Sequence, residues 1–290
     1  MLQGLNGDGQ VGSGTTSTPL LPVLISSSMD WAALALGTAS SCATKSNGTL
    51  YCWGSNAFGL FGDNSTISRT IPTAATPGLT WTTVAVGAQA VCGVPGTPVA
   101  PPLPALPPAP PLFELPDCWG TNGAGQFGNG STAGRRLLPA NTSTAVWQQI
   151  SLSDTTACGI QRLLLKLYCW GTDRERFGSL GDGLATSQYV PQEVFGGGQW
   201  QSVFAASGWG CGIRADGGLY CWGNNRWGSL GDGTFVGRAT PAPVAGFAAW
   251  ANLPPRDHGG HFICAIRPNS YLLCWVSPSI LIYAQLSQAY

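Results

Sequence analysis

Short runs of alternating or β-branched apolar residues, each closed by glycine, recur along the whole chain. None shows the three-to-four spacing of an amphipathic helix. The segment Trp81-Thr-Thr-Val-Ala-Val86 alternates and is β-branched, which predicts a strand. Cys211-Gly-Ile-Arg214 and Gly218-Leu-Tyr-Cys-Trp222 predict a hairpin around Ala215-Asp216-Gly217. A three-residue hairpin loop ends on a left-handed residue, which Gly217 supplies, and Ser46-Asn47-Gly48 repeats the arrangement.

These units repeat. The dipeptide Cys-Trp falls at Cys52-Trp53, Cys118-Trp119, Cys169-Trp170, Cys221-Trp222 and Cys274-Trp275, spaced by 66, 51, 52 and 53 residues. A second cysteine series, Cys42, Cys92, Cys158, Cys211 and Cys264, precedes it. Trp31, Trp81, Trp147 and Trp200 lie 11 residues before the first four of those, and Trp250 lies 14 before the fifth. Glycine-rich segments follow at Gly59-Leu-Phe-Gly62-Asp63, Gly125-Gln-Phe-Gly128-Asn129, Gly178-Ser-Leu-Gly181-Asp182 and Gly228-Ser-Leu-Gly231-Asp232, and then a proline at Pro72, Pro139, Pro191 or Pro241. One small sheet cannot bury its own face, so strand-turn-strand units at this period predict an all-β chain of stacked sheets, a β-propeller with five recognisable blades. A β-solenoid fits less well because its rungs are much shorter.

Composition narrows the setting. Charged residues make up 9 % of 290, with 13 basic and 13 acidic, so the chain lacks the basic footprint of a nucleic-acid binder. The 12 Trp and 44 % hydrophobic residues suffice for a real core, while 41 Gly and 22 Pro punctuate it often. No uninterrupted apolar run reaches the roughly 18 residues of a membrane span. The opening Met-Leu-Gln-Gly-Leu-Asn has neither a basic nor an apolar leader region.

The pattern Cys-Trp-Gly-x-Asn-x-x-Gly-x-Leu-Gly-Asp-Gly-Thr, best seen from Cys221 to Thr234, resembles the repeat of the regulator of chromosome condensation family. The resemblance covers residues 3 to 275. It implies a propeller, of seven blades in typical members, and several unrelated roles: an exchange factor for the small GTPase Ran, a secreted inhibitor of beta-lactamases, a plant ultraviolet photoreceptor, and ectodomains of crinkly-type receptor kinases. Cysteine before tryptophan is most similar to the crinkly-type and secreted branch. Nuclear members carry Gly-x-x-His-Thr on the earlier strand, where this chain reads Gly37-Thr-Ala-Ser-Ser41 and Gly87-Ala-Gln-Ala-Val91. Gln3 to Thr15 reads as the back half of a repeat. It either completes the fifth blade of a five-bladed ring or marks a piece of a longer, seven-bladed one.

The cysteines form five pairs, Cys42/Cys52, Cys92/Cys118, Cys158/Cys169, Cys211/Cys221 and Cys264/Cys274. Positions ten apart in such a hairpin face each other, so disulfides are expected, and with them an oxidising compartment. Buried free thiols are the alternative, and zinc is disfavoured because no Cys-x-x-Cys occurs. Sequons at Asn47, Asn64, Asn129 and Asn141 are candidate glycosylation sites of the same compartment. Residues 95–116, dense in proline, replace one hairpin turn and predict an extended projecting loop: a tolerated surface insertion, a docking arm or a hydroxyproline-type glycosylated stalk. Propeller repeats are expected over 1–276, with a divergent tail at 277–290.

Catalytic chemistry is absent from the pattern. The only histidines stand in Asp257-His258-Gly-Gly-His261, more consistent with an exposed loop than with a metal site, and no metal or cofactor is expected. Asp63, Asp182 and Asp232 alternate with Asn129 and Ser13 at one repeat position, which suits turn capping. Arg69, Arg135 and Arg238 each lie seven residues after the second glycine of their repeat and are candidate partner-binding residues, unless they are merely solvated. Most tryptophans belong to the repeat series and fit blade packing; Trp209 and Trp227 are extras expected to be available for exposure. The resulting expectation is a non-catalytic, protein- or glycan-binding propeller, secreted or part of a receptor ectodomain. The alternative is an intracellular propeller regulating a GTPase.

Overall fold

The computed structural model describes residues 4–96, 115–139, 146–245, 249–253, 263–268, 271–276 and 280–285. The proline-rich stretch from 97 to 114, Asn141, and the group Asp257, His258 and His261 lie outside them. The described residues contain strands and turns but no α-helix, so no helix among them is long and apolar enough to cross a membrane.

The strands form antiparallel sheets that serve as blades. The first comprises β1 (Trp31–Leu36), β2 (Ser40–Lys45), β3 (Leu50–Gly54) and β4 (Arg69–Ala74), paired in that order. The second comprises β5 (Trp81–Val86), β6 (Ala90–Pro95), β7 (Asp117–Thr121) and a short β8 (Arg135–Arg136). The third holds β9 (Trp147–Leu152), β10 (Thr156–Gln161), β11 (Leu167–Gly171) and β12 (Gln188–Glu193). The fourth holds β13 (Trp200–Ala205), β14 (Trp209–Arg214), β15 (Leu219–Gly223) and β16 (Arg238–Pro243). A three-stranded sheet follows, of β17 (Ile263–Ile266), β18 (Tyr271–Val276) and β19 (Ile280–Gln285). Residues 280–285 of the divergent tail thus pair with β18. The chain divides into two compact units, 1–150 and 151–290, with the boundary inside β9.

Local chemistry explains the strand limits. Gly48 and Gly217 adopt φ of 82° and 85° at the hairpin turns, a conformation that costs other L-residues free energy. Pro72, Pro191 and Pro241 sit in β4, β12 and β16, each at the edge of its sheet, where a missing N–H costs no ladder bond. Within unit 1 the core gathers Leu50, Leu60, Phe61, Trp81, Val91 and Trp119. In unit 2, Ile160, Leu167, Leu180, Trp200, Val203 and Trp222 form one cluster and Ile213, Leu219, Leu230, Trp250 and Leu273 contribute to another. Trp209 is buried, at 4 % exposure, because its ring packs against Phe204; Trp227 is half exposed.

Each cysteine pair lies directly across a ladder from its partner. In the fourth blade the N–H of Arg214 donates to the Gly218 carbonyl, and alternation of the ladder then makes Cys211 and Cys221 a non-hydrogen-bonded pair. Such pairs bring side chains closest, and all five are joined as disulfides with Cα atoms 4.0–4.1 Å apart. Cys42, Cys52, Cys211 and Cys221 are fully shielded from solvent.

Candidate functional site

The loops between the third and fourth strands are built around one buried side chain. In the first blade the Asn56 amide oxygen accepts from the N–H of Phe61 at 3.0 Å, and its nitrogen donates to the Ser65 carbonyl at 3.1 Å. Asn122 repeats this with Phe127 and Ser131, and Asn225 with Leu230 and Thr234. Asn6 does the same ahead of the first blade, with Val11 and Thr15. An amide suits the position because it accepts and donates at once. These asparagines are the structural centres of the loops. Sequence reasoning passed over them although one stands inside the repeat pattern as Cys221-Trp-Gly-x-Asn225.

Successive repeats are keyed together by indoles. Trp53 donates to Gln10, Trp119 to Leu60, Trp222 to Ser179 and Trp275 to Ser229, with N···O distances of 2.8–3.1 Å. Each acceptor lies in the glycine-rich loop of the preceding repeat. The second glycine of that loop lets the ring approach. A Cβ on Gly181, whose φ is 70°, would stand 2.8 Å from the Trp222 ring nitrogen.

The aspartates after these glycines turn the chain, each accepting the N–H two residues on: Asp63 from Ser65, Asp182 from Leu184, Asp232 from Thr234, with Asn129 accepting from Ser131 in the second repeat. Two of them also carry ion pairs, Asp63 with Arg69 and Asp232 with Arg238. The candidate residues Arg69 and Arg238 are therefore engaged within their own repeats. Arg135, whose repeat has Asn129 at the acid position, is exposed and donates to the Ala57 carbonyl at 2.8 Å. Burial pushes the Asp63 carboxyl up, but hydrogen bonds from Ser65 and Arg69 and the Arg69 charge outweigh it and hold it below its ordinary value. Asp182, with Gln188 where the others have arginine, moves the opposite way. Burial raises it, and the charge of Asp173 adds to the rise.

The third repeat departs from its siblings here. Asp173 replaces the central asparagine and accepts from the Gly178 N–H at 2.9 Å and the Ser179 hydroxyl at 3.0 Å. Two extra residues follow it, so the loop reads Asp173-Arg-Glu-Arg-Phe-Gly178 against Asn225-Arg-Trp-Gly228 in the fourth repeat. The expansion exposes Arg174, Glu175 and Arg176, and Arg226 is exposed beside them. The Arg226 guanidinium lies over the Phe177 ring at 5.7 Å, and Asn224 donates to Glu175 at 2.6 Å while accepting the Arg226 N–H at 2.8 Å.

The sequon residues Asn47, Asn64 and Asn129 are all exposed. Elsewhere in unit 1, β1 differs from its counterparts. Trp81, Trp147, Trp200 and Trp250 are at most 3 % exposed, whereas Trp31 is half-buried and, with Leu24, Ala33 and Leu34, lines a groove of about 300 Å³. Among the described residues no cluster of His, Cys, Asp and Glu has the makings of a metal site.

Two family models for the regulator of chromosome condensation (RCC1) repeat match the chain, one over residues 47–94 and 216–250, the other over residues 31–60. The solved structure of human WBSCR16 is similar at 15 % identity and a TM-score of 0.64, over 87 % of this chain and 64 % of that one. Prp20p of Saccharomyces cerevisiae is similar at 17 % identity and a TM-score of 0.64, over 84 % and 57 %. The CRINKLY WD40 ectodomain of the Arabidopsis thaliana receptor kinase ACR4 follows at 17 % identity and a TM-score of 0.51, over 86 % and 69 %. At these identities the likeness is one of fold. The chain spans less than two thirds of the length of the first two.

Proposed function

We propose that this chain, an RCC1-repeat protein folded as propeller blades, is a non-catalytic recognition module of the secretory pathway or cell surface that binds a partner through its loops. One observation carries the reading: every sheet holds a cross-strand disulfide between facing positions, and such bonds persist in oxidising compartments. The similarity to the ACR4 ectodomain, together with exposed sequons at Asn47, Asn64 and Asn129, supports the same setting. The ligand class is a protein or a glycan, Arg135 is the candidate contact among the three repeat arginines, and Asn141 is a further candidate for glycosylation.

Non-reducing peptide mapping of protein from its native host tests the compartment. Five bridged peptide pairs are expected; ten free thiols would overturn the assignment. The similarity to Prp20p, a protein whose binding to Gsp1p and histones has been described, favours a second reading, an intracellular regulator of a GTPase. That reading requires the chain to speed nucleotide release from a Ran-type GTPase, and the proposal here expects no acceleration.

A further inference from the structure

We infer that the loop face of the third and fourth blades docks an acidic segment of a partner protein, an assignment that rests on the protein-binding reading and names the chemistry of its partner. The chain has only 26 charged side chains in 290 residues, yet three exposed arginines, Arg174, Arg176 and Arg226, come from two loops tied to one another. Among the described residues the ion pairs join Lys45 to Asp30, Arg69 to Asp63, Lys166 to Glu193 and Arg238 to Asp232, and none involves these three. The one acid among them, Glu175, is held by the neutral amide of Asn224. Against a sparsely charged surface this patch is a local positive field that can steer an anionic segment.

Its shape is set before any partner arrives. Asn224 bridges the two loops, and Arg226 lies over Phe177, which restricts the guanidinium while leaving its edge N–H groups for a carboxylate. Trp227, which follows Arg226 in the chain, is 50 % exposed, so apolar surface is offered beside the charge. Arginine and tryptophan together are the side chains that anchor protein interfaces. A carboxylate partner fits better than a nucleic acid, since three arginines in a chain of zero net charge cannot track a phosphate backbone.

The test uses the full chain and a fluorescent peptide of alternating Glu, Asp and Tyr, with its Gln/Asn counterpart and a heparin-derived oligosaccharide as comparison probes. The acidic peptide is expected to bind in the micromolar range or weaker, more weakly as salt rises, and at least about tenfold less tightly to the triple variant R174A/R176A/R226A. Trp227→Ala should weaken binding severalfold, and Arg162→Ala, an exposed arginine on the β10–β11 hairpin of the same sheet, should leave it unchanged. Equal binding to the triple variant, equal binding of the Gln/Asn counterpart, or binding of the oligosaccharide alone would overturn the inference. A surface protein cross-linked equally by wild type and triple variant would overturn it too, while sparing the broader protein-binding reading. A chain that binds neither the peptide nor any cross-linked surface protein overturns both.

Discussion

The indole N–H of Trp222 donates to the carbonyl of Ser179, 43 residues earlier, at 3.1 Å, and the ring passes close to Gly181. One repeat's core tryptophan therefore closes the loop of the repeat before it. Gly181→Ala would force a methyl group into that ring at a left-handed φ, and we expect it to lower stability by about 2 kcal/mol or more. Trp222→Phe keeps most of the packing but leaves the Ser179 carbonyl without its donor, for a loss of about 1–3 kcal/mol. Denaturant midpoints of the two variants against wild type check both values.

The disulfides should resist reduction until the blades open. Cys211 and Cys221 are shielded from solvent, so alkylation after mild reductant is expected only when denaturant is added. Replacing both with alanine removes a bridge closing ten residues, at a cost of about 2–3 kcal/mol in the chain-entropy picture. Mass-resolved alkylation with and without denaturant reads the first, and the unfolding midpoint of the double variant the second.

Acid and base are mismatched in two neighbouring repeats. The first and fourth pair Asp63 with Arg69 and Asp232 with Arg238, six residues apart. The second has Asn129 with Arg135 and the third Asp182 with Gln188, at the same spacing. Asn129→Asp and Gln188→Arg each supply the missing member and should each stabilise by up to about 1 kcal/mol, a gain that added salt reduces. Thermal midpoints at low and high salt decide it.

The pH dependence of the two aspartates should have opposite signs. Asp63 is held below its ordinary value, so its contribution is present above the unfolded carboxylate value and disappears as pH falls through its folded one. Asp63→Asn should therefore weaken the protein at neutral pH and be harmless in strong acid. Asp182 is raised, so the folded state favours its protonated form and its contribution is lost as pH rises through that raised value. Asp182→Asn should stabilise at neutral pH, with the advantage fading below the ordinary aspartate range. Unfolding midpoints of both variants across acidic and neutral pH test the crossing.

Much of the architecture was readable beforehand because strands and hairpin turns are local. The Cys-Trp series marks the third strand of each four-stranded blade and the middle strand of the three-stranded sheet, and Gly217 marks a turn whose geometry needs glycine. The loops were less readable. A separation of six positions between Asp63 and Arg69 does not reveal that the chain doubles back and pairs them, so Arg69 looked as available as Arg135. Trp209 fell outside the repeat series, and only the packing of Phe204 shows why it is buried. Arg174 and Arg226 both follow the central residue of their loops, where the first two repeats have Ala57 and Gly123, and Arg176 lies in the two-residue expansion of the third, so a search for positions shared by all repeats overlooks them.

In the four indole bonds described above, donor and acceptor sit 43 to 59 residues apart, most of a period. A cut inside a period would strand a ring on one side and a carbonyl on the other. Duplication of one whole period delivers both halves of the junction at once, so such a gene can lengthen or shorten in complete steps without redesigning any seam.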